Sequence, residues 1–199
     1  VVSREPGLRE ETWPDLDRRV AAGGMSAGKV ARQKEDGVFT RVEKDVGVGG
    51  GTRVARWGVE SAYGDPMVQR NYMRAVFPSL AALAWNEPRR RAYWETELIN
   101  ALKIVDKGWS SPEEMRGSWA GAMGQVQFMP SSYLKYAEDF DGDGKRDIWS
   151  TPADIFASIA NYLKGRGWAA DQDWGREVKV SAEAGRRIAR DVAPRHGTG

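Results

Sequence analysis

A chain of 199 residues with 41% hydrophobic and 29% charged content can fill one globular domain, and no repeat, low-complexity tract or charge block divides it. A formal net charge of +2, with basic residues scattered among acids, argues against a nucleic-acid partner. The absence of cysteine excludes thiol chemistry and disulfides, and one histidine, His196, cannot build a Ser-His-Asp triad or a histidine metal cluster, so catalysis must use carboxylates.

Residues 1–38 are polar and interrupted by Pro6, Pro14 and Gly23-Gly24, and they read as a peripheral segment. An amphipathic stretch over 39–46 leads to a glycine cluster, Gly47 to Gly51, which predicts a break before a helix carrying Val54, Trp57 and Val59 toward Glu60. Tyr93, Trp94, Leu98, Ile99, Leu102 and Val105 recur at helical spacing, with Gly108 as a stop. Ser111, Pro112 and Glu114 form a capping-box sequence that predicts another helix start. Thr151-Pro152 opens a helix that turns Ile155, Phe156, Ile159, Tyr162 and Leu163 inward and closes at Gly165 and Gly167. Strand-like alternation is confined to 177–180, so the fold class is mainly α with little β, and 176–199 reads as a tail.

Four constellations carry chemistry. From Gly117 to Tyr133, small residues, amides and aromatics alternate where a core element would show periodic aliphatics. Such a run suits a groove wall: Ser118, Gln125 and Gln127 offer hydrogen bonds, and Trp119, Phe128 and Tyr133 offer flat faces for sugar rings. It would equally suit a tight helix contact that needs small residues. Glu60 ends an apolar helical run between Trp57 and Tyr63, where burial would keep a carboxylic acid protonated for general acid work.

The third constellation runs from Asp139 to Asp154. Asp139, Asp141 and Asp143 alternate around Gly142 and Gly144, like the first half of an EF-hand loop, with Lys145 placed to offer its carbonyl and Asp147 a further oxygen. Ser150 stands where that pattern expects a closing glutamate, which leaves Asp154 as the candidate, in competition with a capping role beside Thr151. Aspartates this close repel one another without a cation, and calcium suits an all-oxygen set better than magnesium. Arg89 and Arg90, in a triple-arginine run after Pro88, either begin a solvated helix or hold a carboxylate of an anionic sugar.

In this order, Gly58-Val59-Glu60-Ser61 with Gly64, the 117–133 run, Asp139-Phe140-Asp141-Gly142-Asp143-Gly144, and Ala160-Asn161-Tyr162-Leu163 ahead of Gly167-Trp168 closely resemble the membrane-bound lytic murein transglycosylase B family over roughly residues 39–174. The resemblance implies a lysozyme-like helical domain over 39–175, an embedded EF-hand-type calcium loop over 139–154, no organic cofactor, and peptidoglycan glycan strands as substrate. It implies that Glu60 alone acts as acid and base, cutting the bond from N-acetylmuramic acid to N-acetylglucosamine and leaving a 1,6-anhydromuramyl end. It assigns substrate contacts to Ser118, Gln127, Tyr162, Arg89 and Arg90, and metal ligation to Asp139, Asp141, Asp143, Lys145, Asp147 and Asp154. The chain departs from the family in lacking its C-terminal Tyr-Asn pair and in placing Gly49 to Gly51 where a proline-containing turn usually starts the acid-bearing helix.

The implied setting is the periplasm or cell envelope of a bacterium, with peripheral membrane association if the native form is lipidated, and a monomer as the default state; the chain itself shows no signal peptide. A hydrolytic muramidase, a peptidoglycan-binding module without turnover and a calcium-responsive scaffold are the competing readings.

Overall fold

The computed structural model describes residues 20–170 throughout and, beyond them, 17, 172, 175 and 177–192; Pro6, Pro14, Trp174 and His196 lie outside the described residues. The chain divides into a main unit, 22–170, and a second unit drawn from 1–21 and 171–199. Nine α-helices occur among the described residues. They are α1 (Ala22–Lys34), α2 (Asp36–Val46), α3 (Gly50–Ser61), α4 (Pro66–Tyr72), α5 (Val76–Asn86), α6 (Arg91–Asp106), α7 (Pro130–Tyr136), α8 (Pro152–Gly165) and, in the second unit, α9 (Ala182–Val192). The expected tail therefore contains a helix, with Ser181 Oγ accepting the Ala184 amide at its start, and the described 177–180 segment forms no strand.

Helix α8 is the centre of the main unit. Ala153 to Ala160 is buried without interruption, so α8 is covered all round rather than along one stripe, enclosed by α2, α3 and α7, with Asp154 and Ser158 the polar members of the run. Phe156 stacks on Phe39 of α2 at 3.9 Å and meets Trp57 of α3 edge-on at 5.0 Å. Helices α5 and α6 pack on each other across a 3-10 turn, Pro88–Arg90, and α6 also packs on α7.

Within the segment read as peripheral, the described helix α1 packs on α3, and Tyr63 donates a hydrogen bond to Gly24 O at 3.0 Å. The glycine cluster does break the chain. Gly47 caps α2 in the left-handed region (φ 75°), and the Glu43 carboxylate accepts the Gly50 amide at 3.0 Å where α3 begins. The capping box at Ser111 forms both of its reciprocal bonds, Ser111 N to Glu114 Oε2 and Glu114 N to Ser111 Oγ, yet no helix follows, because the chain turns at once into β2 (Arg116–Gly117). That strand pairs antiparallel with β1 (Arg74–Ala75), Arg74 opposite Gly117.

Candidate active site

Glu60 stands in the last turn of α3, whose Val54 and Trp57 are buried. Its side chain is 33% exposed, and Arg56, one turn earlier, brings Nη2 to 3.9 Å from Oε1. This differs from the expected burial against Trp57 and Tyr63. Trp57 turns into the core toward Phe156, and Tyr63 meets the edge of Trp57 at 5.7 Å. Arg56 went unread in the sequence, although its i,i+4 spacing to Glu60 was the available signal.

Arg56 also draws Tyr162 of α8 into this corner. Its guanidinium lies 4.3 Å from the Tyr162 ring centre and 5.9 Å from that of Phe128, while Arg166 covers Tyr162 at 5.2 Å. Glu60, Phe128 and Tyr162 are thus linked through one side chain.

Ser61 is followed by three consecutive left-handed residues, Ala62 (φ 50°), Tyr63 (φ 59°) and Gly64 (φ 73°). Two of the three carry side chains, so the exit from the acid-bearing helix is strained.

The 117–133 run folds back on itself in two steps. Ser118 N donates to Ala122 O (2.8 Å), and Met123 and Phe128 exchange backbone bonds of 2.7 and 3.1 Å. Its glycines make room for the chain itself: a Cβ on Gly117 would stand 2.3 Å from Ala122 O, and one on Gly124 2.6 Å from Ile148 O. Of the three aromatics expected to face a groove, Phe128 and Tyr133 are buried and Trp119 is partly exposed. Tyr133 donates to Arg146 O at 2.8 Å, and burial pushes its phenol far above the ordinary value.

Ser118 Oγ accepts the amides of Ala120 (3.3 Å) and Ala122 (3.2 Å), which occupies its lone pairs and leaves its O–H to donate. Gln127 adopts φ 51° and donates Nε2 to Gly124 O (3.0 Å), leaving its carbonyl oxygen as an acceptor. Gln125, expected to face a ligand, is instead buried and bonded at both ends of its amide. Arg89 and Arg90 lie exposed on the 3-10 turn, and Arg90 stacks over Tyr93 (4.7 Å) and Trp94 (4.8 Å) at the start of α6.

In the aspartate loop, Asp139, Asp141 and Asp143 bring ligand oxygens within 4.8 Å of one another. The loop amides of Gly142, Asp143 and Gly144 point at Asp139, and the Lys145 amide at Asp143, which is how a short loop turns its carboxylates toward one centre. Asp147 accepts the amides of Trp149 and Ser150 and the hydroxyls of Ser150 and Thr151; burial acts to raise its proton affinity, but these bonds hold it below the ordinary carboxylate range.

Asp154 does not cap Thr151. It is 1% exposed and accepts the amides of Phe140 (2.7 Å) and Asp147 (2.8 Å), tying both limbs of the loop to α8, and burial pushes it up to about 6. The set is all oxygen, as a hard divalent cation requires. Beside it lies a cleft of about 210 Å³ lined by Trp109, Glu114, Lys145 and Trp149, to which none of the expected sugar-binding residues contributes.

A mainly helical unit with Glu60 in the last turn of α3 and a glycine-rich run folded back on itself over 117–133 is of the lysozyme-like fold class. The family model for the transglycosylase SLT domain matches residues 2–196, and the chain belongs to that family. It is 44% identical over 125 residues to the membrane-bound lytic murein transglycosylase B of Escherichia coli strain K12, covering 63% of this chain and 32% of that protein. Among solved structures, SltB3 of Pseudomonas aeruginosa, in complex with NAG-anhNAM-pentapeptide, matches with a TM-score of 0.79 and 42% identity over 87% of this chain and 45% of its own. The Escherichia coli lytic transglycosylase SLT35, in complex with calcium, matches with a TM-score of 0.70 and 34% identity over 79% and 49%. The chain thus spans about a third of the curated relative and about half of each of these solved chains.

Proposed function

We propose that the chain is the catalytic portion of a lytic murein transglycosylase, acting on peptidoglycan glycan strands in the bacterial periplasm or envelope. The observation that carries the reading is the placement of Glu60: it lies at the end of α3, linked through Arg56 to Phe128 and Tyr162, while the 117–133 run contains no Asp or Glu. A glycosidase that delivers water to the opposite face of the sugar needs a second carboxylate, and one that forms a glycosyl-enzyme needs a carboxylate nucleophile. A single carboxyl suits an internal transfer. Glu60 gives its proton to the oxygen leaving the muramyl C1, then takes the proton of the muramyl C6 hydroxyl as that oxygen bonds to C1. The C1–O bond to N-acetylglucosamine breaks, the 1,6-anhydro ring forms, and no water is consumed.

Ser118 donates its hydroxyl to the acetamido carbonyl, Gln127 offers its carbonyl oxygen beside the acid, and Tyr162 gives an aromatic face. Arg89 and Arg90 meet the lactyl or peptide side. Asp139, Asp141, Asp143, Lys145 through its carbonyl, Asp147 and Asp154 hold calcium, which supplies structural charge neutralisation and no chemistry at the sugar. SltB3 in complex with NAG-NAM-pentapeptide and SLT35 in complex with calcium support this assignment of ligand classes.

The test is digestion of peptidoglycan sacculi by the chain and by its Glu60→Gln variant, with released muropeptides identified by mass spectrometry. Anhydromuramyl products lost in the variant are the expected outcome. Reducing-end products in their place indicate a hydrolytic muramidase, and no release by either protein overturns the catalytic role of Glu60 and leaves a binding module.

A further inference from the structure

Gln125 is 8% exposed and every polar group of its side chain is engaged. Its Oε1 accepts the indole N–H of Trp57 at 2.6 Å, and its Nε2 donates to Trp149 O at 2.7 Å. Its own amide donates to Ile148 O at 2.9 Å. The side chain also lies over the exit of α3, since a Cβ on Gly64 would stand 2.4 Å from Oε1. Trp57 precedes Glu60 by three residues on the same helix, and Ile148 and Trp149 directly follow Asp147, whose carboxylate accepts the Trp149 amide at 2.8 Å. One amide therefore spans 68 residues in one direction and 24 in the other, joining the acid-bearing helix to the exit of the aspartate loop.

The join is short, and its bond to Trp57 is buried. The bond from Trp57 and the two bonds to residues 148–149 all lie between 2.6 and 2.9 Å, and a buried amide that loses a partner bears the full desolvation cost of the orphaned group. A change in the position of the Trp149 carbonyl is thus passed to Trp57 or leaves a polar atom unsatisfied. Reorientation of Asp147 toward a cation would act on the Trp149 amide, in the residue whose carbonyl Gln125 holds.

We propose that Gln125 is a positioning residue for Glu60: it locks the last turns of α3 to the exit of the aspartate loop, so that occupancy of the loop by calcium is felt at Trp57. The inference deepens the proposed function and rests on its reading of the loop as a calcium site and of Glu60 as the acid. Gln125 touches neither substrate nor cation.

The experiment follows two sets of resonances in the ¹⁵N-labelled chain during titration with calcium chloride: the Gly142 and Gly144 amides report the loop, and the Trp57 indole N–H, assigned with Trp57→Phe, reports the acid-bearing helix. In the parent chain both sets move with one midpoint. In Gln125→Met the loop amides still move and the remaining Trp57 response is lost. Gln125→Glu serves as the second variant, because it keeps an acceptor for Trp57 and removes the donor to Trp149; Trp57 there retains its bond yet no longer follows the loop. A Trp57 indole that stays still while the loop amides move, or that moves equally in parent and variants, overturns the proposal.

If the loop amides do not respond, the calcium reading fails and the cation link with it. Hydrogen exchange then decides the positioning role. Amides of the last turn of α3 are expected to exchange about tenfold faster in Gln125→Met, the worth of one buried hydrogen bond, with those of α6 unchanged as a check on folding. Equal exchange rates overturn that role too.

Discussion

Ala62 carries a β-carbon at φ 50° and ψ 46°, immediately after the helix that bears Glu60. The left-handed region costs an L-residue roughly 1–2 kcal/mol, and helices commonly meet this demand with glycine. Glycine would also add freedom to the unfolded chain, at a cost of about 0.4–1 kcal/mol. The two terms leave Ala62→Gly stabilising by roughly 0.5–1 kcal/mol, which thermal unfolding should register as a rise in Tm of about 1–4 °C. Tyr63 is not relieved by the same change, because its hydroxyl is tied to Gly24 O and its ring fills the space over Gly58, where a Cβ would stand 2.4 Å from the ring. Gly58→Ala therefore pushes Tyr63 away or shifts α3, and a lowered Tm with reduced product release from sacculi is expected. An unchanged Tm would mean that the ring turns aside without cost.

At the scale of elements, α7 depends on a side chain that no sequence pattern singled out. Glu97 of α6 is 3% exposed; its carboxylate accepts the Ser131 amide at 2.8 Å and the Ser131 hydroxyl at 2.6 Å, capping a helix whose own N-cap, Met129, has no side-chain acceptor. Glu97→Ala removes both bonds and opens a hole between α6 and α7, and bonds to a charged acceptor are worth about 1.5–3 kcal/mol, so a loss of roughly 2–4 kcal/mol is expected in denaturant unfolding. Glu97→Gln keeps one oxygen acceptor and should lose about half as much. Helical spacing over 93–105 marks α6 and its stop at Gly108, but Tyr93, Ile99 and Leu102 of that pattern are 39%, 53% and 54% exposed, and the inward row is Trp94, Glu97, Ala101 and Ile104. A glutamate in the pattern reads as solvent-facing unless its partner is known, and the partner is 34 residues away. Helix α8 was legible to its last residues because nothing polar interrupts its buried face except Ser158 and Asp154. For the proposed site, local spacing singles out Glu60 and the aspartates, while Arg56 on Tyr162 and Gln125 on Trp57 depend on contacts between distant segments that no local pattern records.

For the molecule as a whole, the calcium reading proposed above makes the aspartate loop the place where stability and cation binding meet. Without a cation, Asp139, Asp141 and Asp143 crowd their oxygens within 4.8 Å, and Asp154 is buried with its charge disfavoured, held at about 6. Both costs fall on the segment that anchors α8, the helix around which α2, α3 and α7 assemble. A divalent cation reverses their sign, since it attracts the three carboxylates and favours the charged form of Asp154. Binding to the folded chain alone stabilises it by about 2.7 kcal/mol at a hundredfold excess of free ligand over Kd. For a chain of this size that corresponds to a rise in Tm of roughly 5–11 °C when calcium is added to chelator-treated protein. Magnesium, which holds its water and demands a stricter octahedron, should give a smaller rise at equal concentration. Asp141→Asn, at an exposed position whose loss leaves the core intact, should abolish most of the calcium effect while changing the cation-free Tm little or raising it, because it removes one of the repelling charges. Equal calcium-induced shifts in the parent and in Asp141→Asn, measured by scanning calorimetry, would place the cation elsewhere on the chain.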